Sequence, residues 1–398
     1  MKITEIETIR VGEFPNLVWL HLKTDEGLTG LGETFMGAAA VEAHIHEVAP
    51  LFIGEDAADI DRLTALLDPY LGARGTGVEK RAQSAVNIAL WDLAGKATGR
   101  PLYELLGGRA RKNIRVYNTC AGYQYIRDTK SQSVDNWGIG TPQGPYEDLD
   151  GFLNRADEVA QSLLDMCITG MKIWPFDIAA ERNNGLRIPP DELNTALEPF
   201  RKIRQAVGDK MDIMVELHGL WSLPPAIQIA KALKEFNTFW HEDPIHMMSL
   251  GGLKEYAAHS PAPVCASESL TGKHGFRDLL ETGFSGITMA DLAWCGGVSE
   301  ARNIAVMCDA WDLPVTFHDC TGPVVLTAST HLSLHARNAM VQEMVRAAYT
   351  SWYPEVVSAL PPLDRGFLTA PDGPGLGLEL IEARINAADV TRRRSGPG

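Results

Sequence analysis

The 398-residue sequence has no apolar run near the roughly 18 residues that a membrane-spanning helix requires. No secretory leader is expected either, because Met1 runs straight into the charged, alternating MKITEIETIRV. A cytoplasmic protein away from membranes is therefore expected. Basic charge is in short supply: 36 Lys plus Arg stand against 51 Asp plus Glu, a formal charge of −15. Such a balance repels a phosphate backbone, so nucleic acid is excluded as a partner, and Arg392-Arg393-Arg394 is the one basic run. Paired cysteines are lacking too. The six present (Cys120, Cys167, Cys265, Cys295, Cys308, Cys320) form no CxxC motif, which removes zinc ribbons and thioredoxin-type chemistry and leaves free thiols as the expectation.

The remaining composition, 45% hydrophobic and 22% charged, is that of a globular enzyme. The length suits one large barrel with a satellite domain, or two to three ordinary domains. Period-two patterns at Lys2–Arg10 and Leu17–Lys23 predict an antiparallel start. Helical spacing follows over Ala40–Leu71 and Glu79–Thr98, with Gly99, Arg100 and Pro101 as stop signals. From Asn113 short apolar strands alternate with amphipathic helices, and eight candidates occur: 114–119, 170–174, 212–217, 238–241, 263–266, 286–290, 314–317 and 339–342. Units of roughly 30 residues fit a (β/α)8 barrel, in which catalytic groups sit where strands end. An open doubly wound sheet is the competitor, but the first strand runs into Cys120-Ala121-Gly122-Tyr123 and not a glycine-rich phosphate loop. The predicted organisation is an α+β domain over 1–112, the barrel over 113–350 and a segment over 351–398 that packs back on the first domain. Residues Tyr123–Asp150, polar and without period, are read as a long loop and an active-site lid, the alternative being a surface or oligomer-contact loop.

The strand ends carry the chemistry. Glu216, Glu242 and Glu268 close three successive strands at identical spacings of 26 residues, which places three carboxylates at one rim. Three hard oxygen ligands suit Mg²⁺, whereas any one of them alone reads as a solvated or ion-paired glutamate. Asp243-Pro244 reads as a turn. The next two strands end near Asp291 and His318, a pairing that fixes an imidazole tautomer for general-base work, with a structural histidine as the alternative. Glu343 adds a polar group at the same rim.

The ordered set Lys172, Glu216, Glu242, Glu268, Asp291, His318 and Glu343 resembles the enolase superfamily, mandelate racemase subgroup. GLTGLGETF and ALWDLAGKATGRPLYELLGG are similar to that family's capping-domain sequences, so the resemblance spans nearly the whole chain. It implies an α+β capping domain on a modified (β/α)8 TIM-like barrel, Mg²⁺ at Glu216, Glu242 and Glu268, and removal of the proton α to a carboxylate. It further implies that Lys172 and Glu343 hold the substrate carboxylate, and that the protein is a homo-oligomer. Two departures matter. Where racemases and cycloisomerases of the subgroup carry Lys-x-Lys, this chain has Lys172-Ile173-Trp174, and the first metal position is Glu216 where the dehydratases have Asp. His218, two residues beyond Glu216, matches the histidine that resembles the general acid of galactonate and mannonate dehydratases. The expected reaction is Mg²⁺-dependent dehydration of a sugar acid to a 2-keto-3-deoxy acid, with His318 as base, Asp291 behind it and His218 as acid. The alternatives are a racemase or epimerase using Lys172 and His318, and a non-catalytic metal-binding descendant. Arg182, Asn183, Asn184 and Arg187, in the insert before the next helix, read as solvated.

Overall fold

The computed structural model describes residues 1–68, 75–126, 133–140, 144–284 and 286–397. Strands β1 (Ile3–Val11), β2 (Leu17–Thr24) and β3 (Thr29–Phe35) pair antiparallel, as their alternation predicts. Helical residues follow as α1 (Ala38–Val48), α2 (Ile60–Ala65) and α3 (Val78–Thr98). The single predicted stretch 40–71 is broken between α1 and α2, where Pro50 sits in a 3-10 turn and Gly54 takes a φ of +86°. Its end, from residue 69 to Leu71, lies outside the described residues, as does most of 71–77. The long helix α3 lies directly on β3. A Cβ on Gly32 would stand 2.0 Å from the Ala85 carbonyl oxygen, and one on Gly30 would stand 2.2 Å from that of Ala89.

The barrel strands are β4 (Ile114–Thr119), β5 (Gly170–Ile173), β6 (Asp212–Glu216), β7 (Trp240–Glu242), β8 (Val264–Ala266), β9 (Ile287–Asp291), β10 (Val315–His318) and β11 (Ala339–Met344). Neighbours are parallel and β11 closes on β4, so the sheet is a closed eight-stranded barrel. Inward residues such as Tyr117, Met214, Trp240 and Met289 fill its interior, and the outward ones pack under the surrounding helices. The polar rim is thereby left to the strand ends.

After the barrel, the short strands β12 (Leu363–Asp364) and β13 (Phe367–Leu368) form a hairpin against the start of β4. The last strand, β14 (Val390–Ser395), joins the free edge of β1. Its Arg392 and Arg394 pair with the fully buried Glu7 at 2.8 and 2.6 Å. The basic run of the sequence is thus a clamp on the first sheet. No helix among the described residues is long and apolar enough to cross a membrane.

Candidate active site

Glu216, Glu242 and Glu268 each stand at or just past the end of a barrel strand, and one ligand oxygen from each lies within 4.8 Å of the others. Lys172, from the end of β5, reaches into the same cluster, with Nζ 2.6 Å from Glu242, 2.8 Å from Glu343 and 3.4 Å from Glu216. Backbone donors orient the first carboxylate: Glu216 Oε1 accepts from the N–H groups of Leu217 and His218. Glu242 accepts from Trp240 Nε1 at 2.9 Å. Glu343 accepts from the hydroxyl of Thr119 and from the backbone N–H of Asp319.

So many buried carboxylates repel one another. Burial and the charge of Glu216 push Glu242 and Asp243 far above the ordinary carboxylate range, and burial raises Glu268. Glu216 is held low despite its burial by the charges of His218 and Lys172. Burial alone would lower Lys172, but Glu242 and Glu343 outweigh it and hold the ammonium charged. A divalent cation is what such a set of converging oxygen donors suits, so the residues present fit Mg²⁺. Asp243, read from the sequence as a turn residue, does turn the chain at a φ of +38°. It is also buried beside the cluster, where it accepts from Ser267 Oγ at 2.7 Å.

Two imidazoles flank the carboxylates. His318, ending β10, has Nδ1 2.7 Å from Asp291 Oδ2, while its Nε2 faces Glu268 at 3.1 Å. Asp291 also accepts from the backbone of Ala293. The ring of Trp294 lies 5.3 Å from that of His318. His218 has Nδ1 2.5 Å from Asp177 Oδ2, and the edge of Trp174 packs against it at 5.9 Å. Burial pulls both imidazoles down, but the surrounding carboxylates outweigh it and raise His318 to about 10 and His218 to about 9. Although His218 stands two residues beyond Glu216, strand alternation is not what aims it. Strand β6 ends at Glu216, and His218 lies beyond it with a φ of +47°. The sequence reading missed Asp177, which is buried in the first turn of the helix Asp177–Asn183, just beyond β5. Its signal was an acidic residue three positions after Trp174, which directly follows that strand.

Lys172, His218, Glu268 and His318 face one cavity. Aromatic residues Phe35, Tyr125, Trp174 and Trp294 wall it, with Phe35 contributed by β3 of the first sheet. From the long loop, Tyr125 and Ile126 line the cavity, whereas 127–132 and 141–143 lie outside the described residues. Asp148, near the loop's predicted end, already begins a helix. Of the insert residues expected to be solvated, Arg182 is exposed and pairs with Glu192, and Asn183 bonds back to the Ala179 carbonyl. Neither Asn184 nor Arg187 lines the cavity.

A closed parallel barrel with carboxylates converging at the carboxyl ends of its strands, covered by an antiparallel sheet that contributes to the same cavity, defines an enzyme-type fold of the enolase class. Residues 154–384 match the family described as enolase C-terminal domain-like, and residues 8–107 match the mandelate racemase / muconate lactonizing enzyme N-terminal domain. The chain belongs to the enolase superfamily, mandelate racemase subgroup. It is similar to an enolase of that subgroup from Agrobacterium tumefaciens, at 54% identity, a TM-score of 0.89 and coverage of 100% of this chain and 99% of that one. It also resembles an enolase protein from the Sargasso Sea environmental genome, at 41% identity, a TM-score of 0.88 and coverage of 100% and 99%. A D-galactonate dehydratase of Variovorax paradoxus is 30% identical over 395 residues, 97% of this chain and 94% of that protein.

Proposed function

We propose that this protein dehydrates a sugar acid to a 2-keto-3-deoxy acid, with His318 as general base and His218 as general acid. The observation that carries the reading is the presence of two oriented imidazoles. They come from β10 and the end of β6, four strands apart in a ring of eight and so on opposite sides of the barrel mouth. Similarity to D-galactonate dehydratases over almost the whole chain supports the same reaction class.

Glu216, Glu242 and Glu268 would hold the metal, and Lys172 and Glu343 border the place where a substrate carboxylate would lie. Mg²⁺ there would stabilise the second negative charge that develops when C2 is deprotonated, and would offset the carboxylate charge that raises His318. Nε2 of neutral His318 removes the C2 proton while Asp291 holds Nδ1–H and so fixes the tautomer. On the other side, Nε2–H of His218 delivers a proton to the departing 3-hydroxyl, and water leaves as the C2–C3 double bond forms. The resulting enol ketonises to the 2-keto acid. Trp174, packed among Tyr125, Trp137 and Phe152, cannot abstract a proton, so the second base of a racemase is lacking at that position.

The test is incubation with C5 and C6 aldonates and aldarates, before and after chelation. A 2-keto-3-deoxy product that disappears on chelation and returns with Mg²⁺ is expected. Inversion at C2 without loss of water would replace this reading with the epimerase one.

A further inference from the structure

A second cavity lies beside the active-site one. Phe35, Tyr125, Ile126, Cys320 and Thr321 line both, so the two are neighbours. The walls of this outer chamber come from both domains. Phe14 and Leu17 belong to the first sheet and its loop, whereas Val345, Ala348, Trp352 and Tyr353 follow β11.

Its chemistry differs from that of the inner cavity. Every charged group facing the substrate is on the inner side, and no described residue lining the outer chamber carries a charge. Three of the polar side chains there are already engaged by the protein. Asn16 donates to the Ile126 carbonyl at 3.0 Å, Tyr123 accepts from the Tyr146 N–H, and Thr321 donates to Asp319. Phe14 and Trp352 pack 4.4 Å apart. A hydroxyl brought into such a chamber loses its water and finds few partners, whereas a methyl or alkyl group gains from burial.

We propose that the outer chamber receives the far end of the substrate and that this end is apolar, so that the acid is a sugar acid ending in a methyl or longer alkyl group. This rests on the dehydratase reading for the orientation of the substrate, with its carboxylate end at Lys172 and its third carbon at His218. The remaining carbons then point toward the residues that the two cavities share. A terminal hydroxymethyl group or a second carboxylate would enter uncharged, largely apolar surroundings, which sets this chain apart from a relative that acts on galactonate.

Two probes separate the chamber from the chemistry: 2-hydroxyhexanoate and 2,6-dihydroxyhexanoate. They differ only in the terminal hydroxyl, and neither carries the 3-hydroxyl that dehydration removes. Calorimetric titration of the Mg²⁺-loaded protein is expected to show 2-hydroxyhexanoate bound between about tenfold and a hundredfold more tightly. Val345→Thr, which keeps the shape of the wall and adds a hydroxyl, should narrow that ratio, and Ala348→Ser should do the same if the first variant does not fold. Equal affinities, tighter binding of the dihydroxy acid or a ratio untouched by the folded variant would each overturn the chamber proposal while leaving the dehydratase reading standing. Failure of both acids to bind would remove the site assignment on which the proposal rests.

Discussion

Each of the two imidazoles has Nδ1 tied to a buried aspartate, which leaves Nε2 to do the chemistry. The pairs should fail differently. His318→Asn is expected to abolish both exchange of the C2 proton with solvent and product formation, because the opposite imidazole faces the other side of C2. Asp177→Asn keeps the shape but offers an amide to His218 Nδ1, so dehydration should fall by roughly 10²–10⁴-fold while C2 exchange persists. NMR of the C2 position in D₂O reads both quantities, and a parallel fall in exchange would show Asp177 to be merely structural. At this scale the sequence was informative about residues that end strands, since alternation and the 26-residue spacing place Glu216, Glu242 and Glu268 directly. Asp177 escaped because it lies in a helix after β5 and meets His218 through the fold, 41 positions away in the chain. No local period encodes such a contact.

Among the elements, the contact between β3 and α3 carries the first sheet onto its helix. Gly30 and Gly32 are needed there for close approach, not for an unusual backbone angle, since a Cβ at either would collide with a helix carbonyl. Gly32→Ala should therefore cost about 1–3 kcal/mol or more, as overpacking against backbone does, and show as a lower midpoint in urea with an unchanged slope. A variant as stable as the parent would mean that the helix can shift freely. The next residue, Glu33, carries this packing toward the site. It accepts from Trp19 Nε1 and from the N–H of Val325, at the start of the helix Pro323–His335 that follows β10, and burial raises it to about 7. GLTGLGETF was legible as a family-like motif, but its physical reason was not, because the partner helix lies more than fifty residues away in the chain. The eight barrel strands were legible because each is a short apolar run between amphipathic helices. The break between α1 and α2 was obscured because apolar spacing continues through it.

At the scale of the whole molecule, two buried histidines contribute to the dependence of stability on pH: the His241 ring bonds Thr238 and Tyr256, and that of His331 faces the Leu376 carbonyl. Burial lowers His241 to about 3 and His331 to about 4, so both stay neutral in the folded chain. Unfolded imidazoles titrate near 6.5. Between about pH 4 and 6.5 each of the two therefore takes up a proton only on unfolding and adds a contribution that rises with pH, opposed by buried carboxylates such as Glu33, raised to about 7, that stay protonated in the folded chain. His241→Gln should therefore lower the slope of stability against pH, by at most about 1.4 kcal/mol per pH unit, in urea unfolding followed from pH 4.5 to 7. An unchanged pH dependence would contradict the assignment. The central claim concerns the division of labour across the barrel mouth, and one measurement tests it most directly: the fate, in D₂O with His218→Asn protein and Mg²⁺, of the sugar acid that the parent protein dehydrates. The expected result is deuterium entering C2 of recovered substrate through His318, with dehydration slowed by roughly 10²–10⁴-fold. Dehydration at the parent rate would contradict the role of His218 and with it the proposed mechanism.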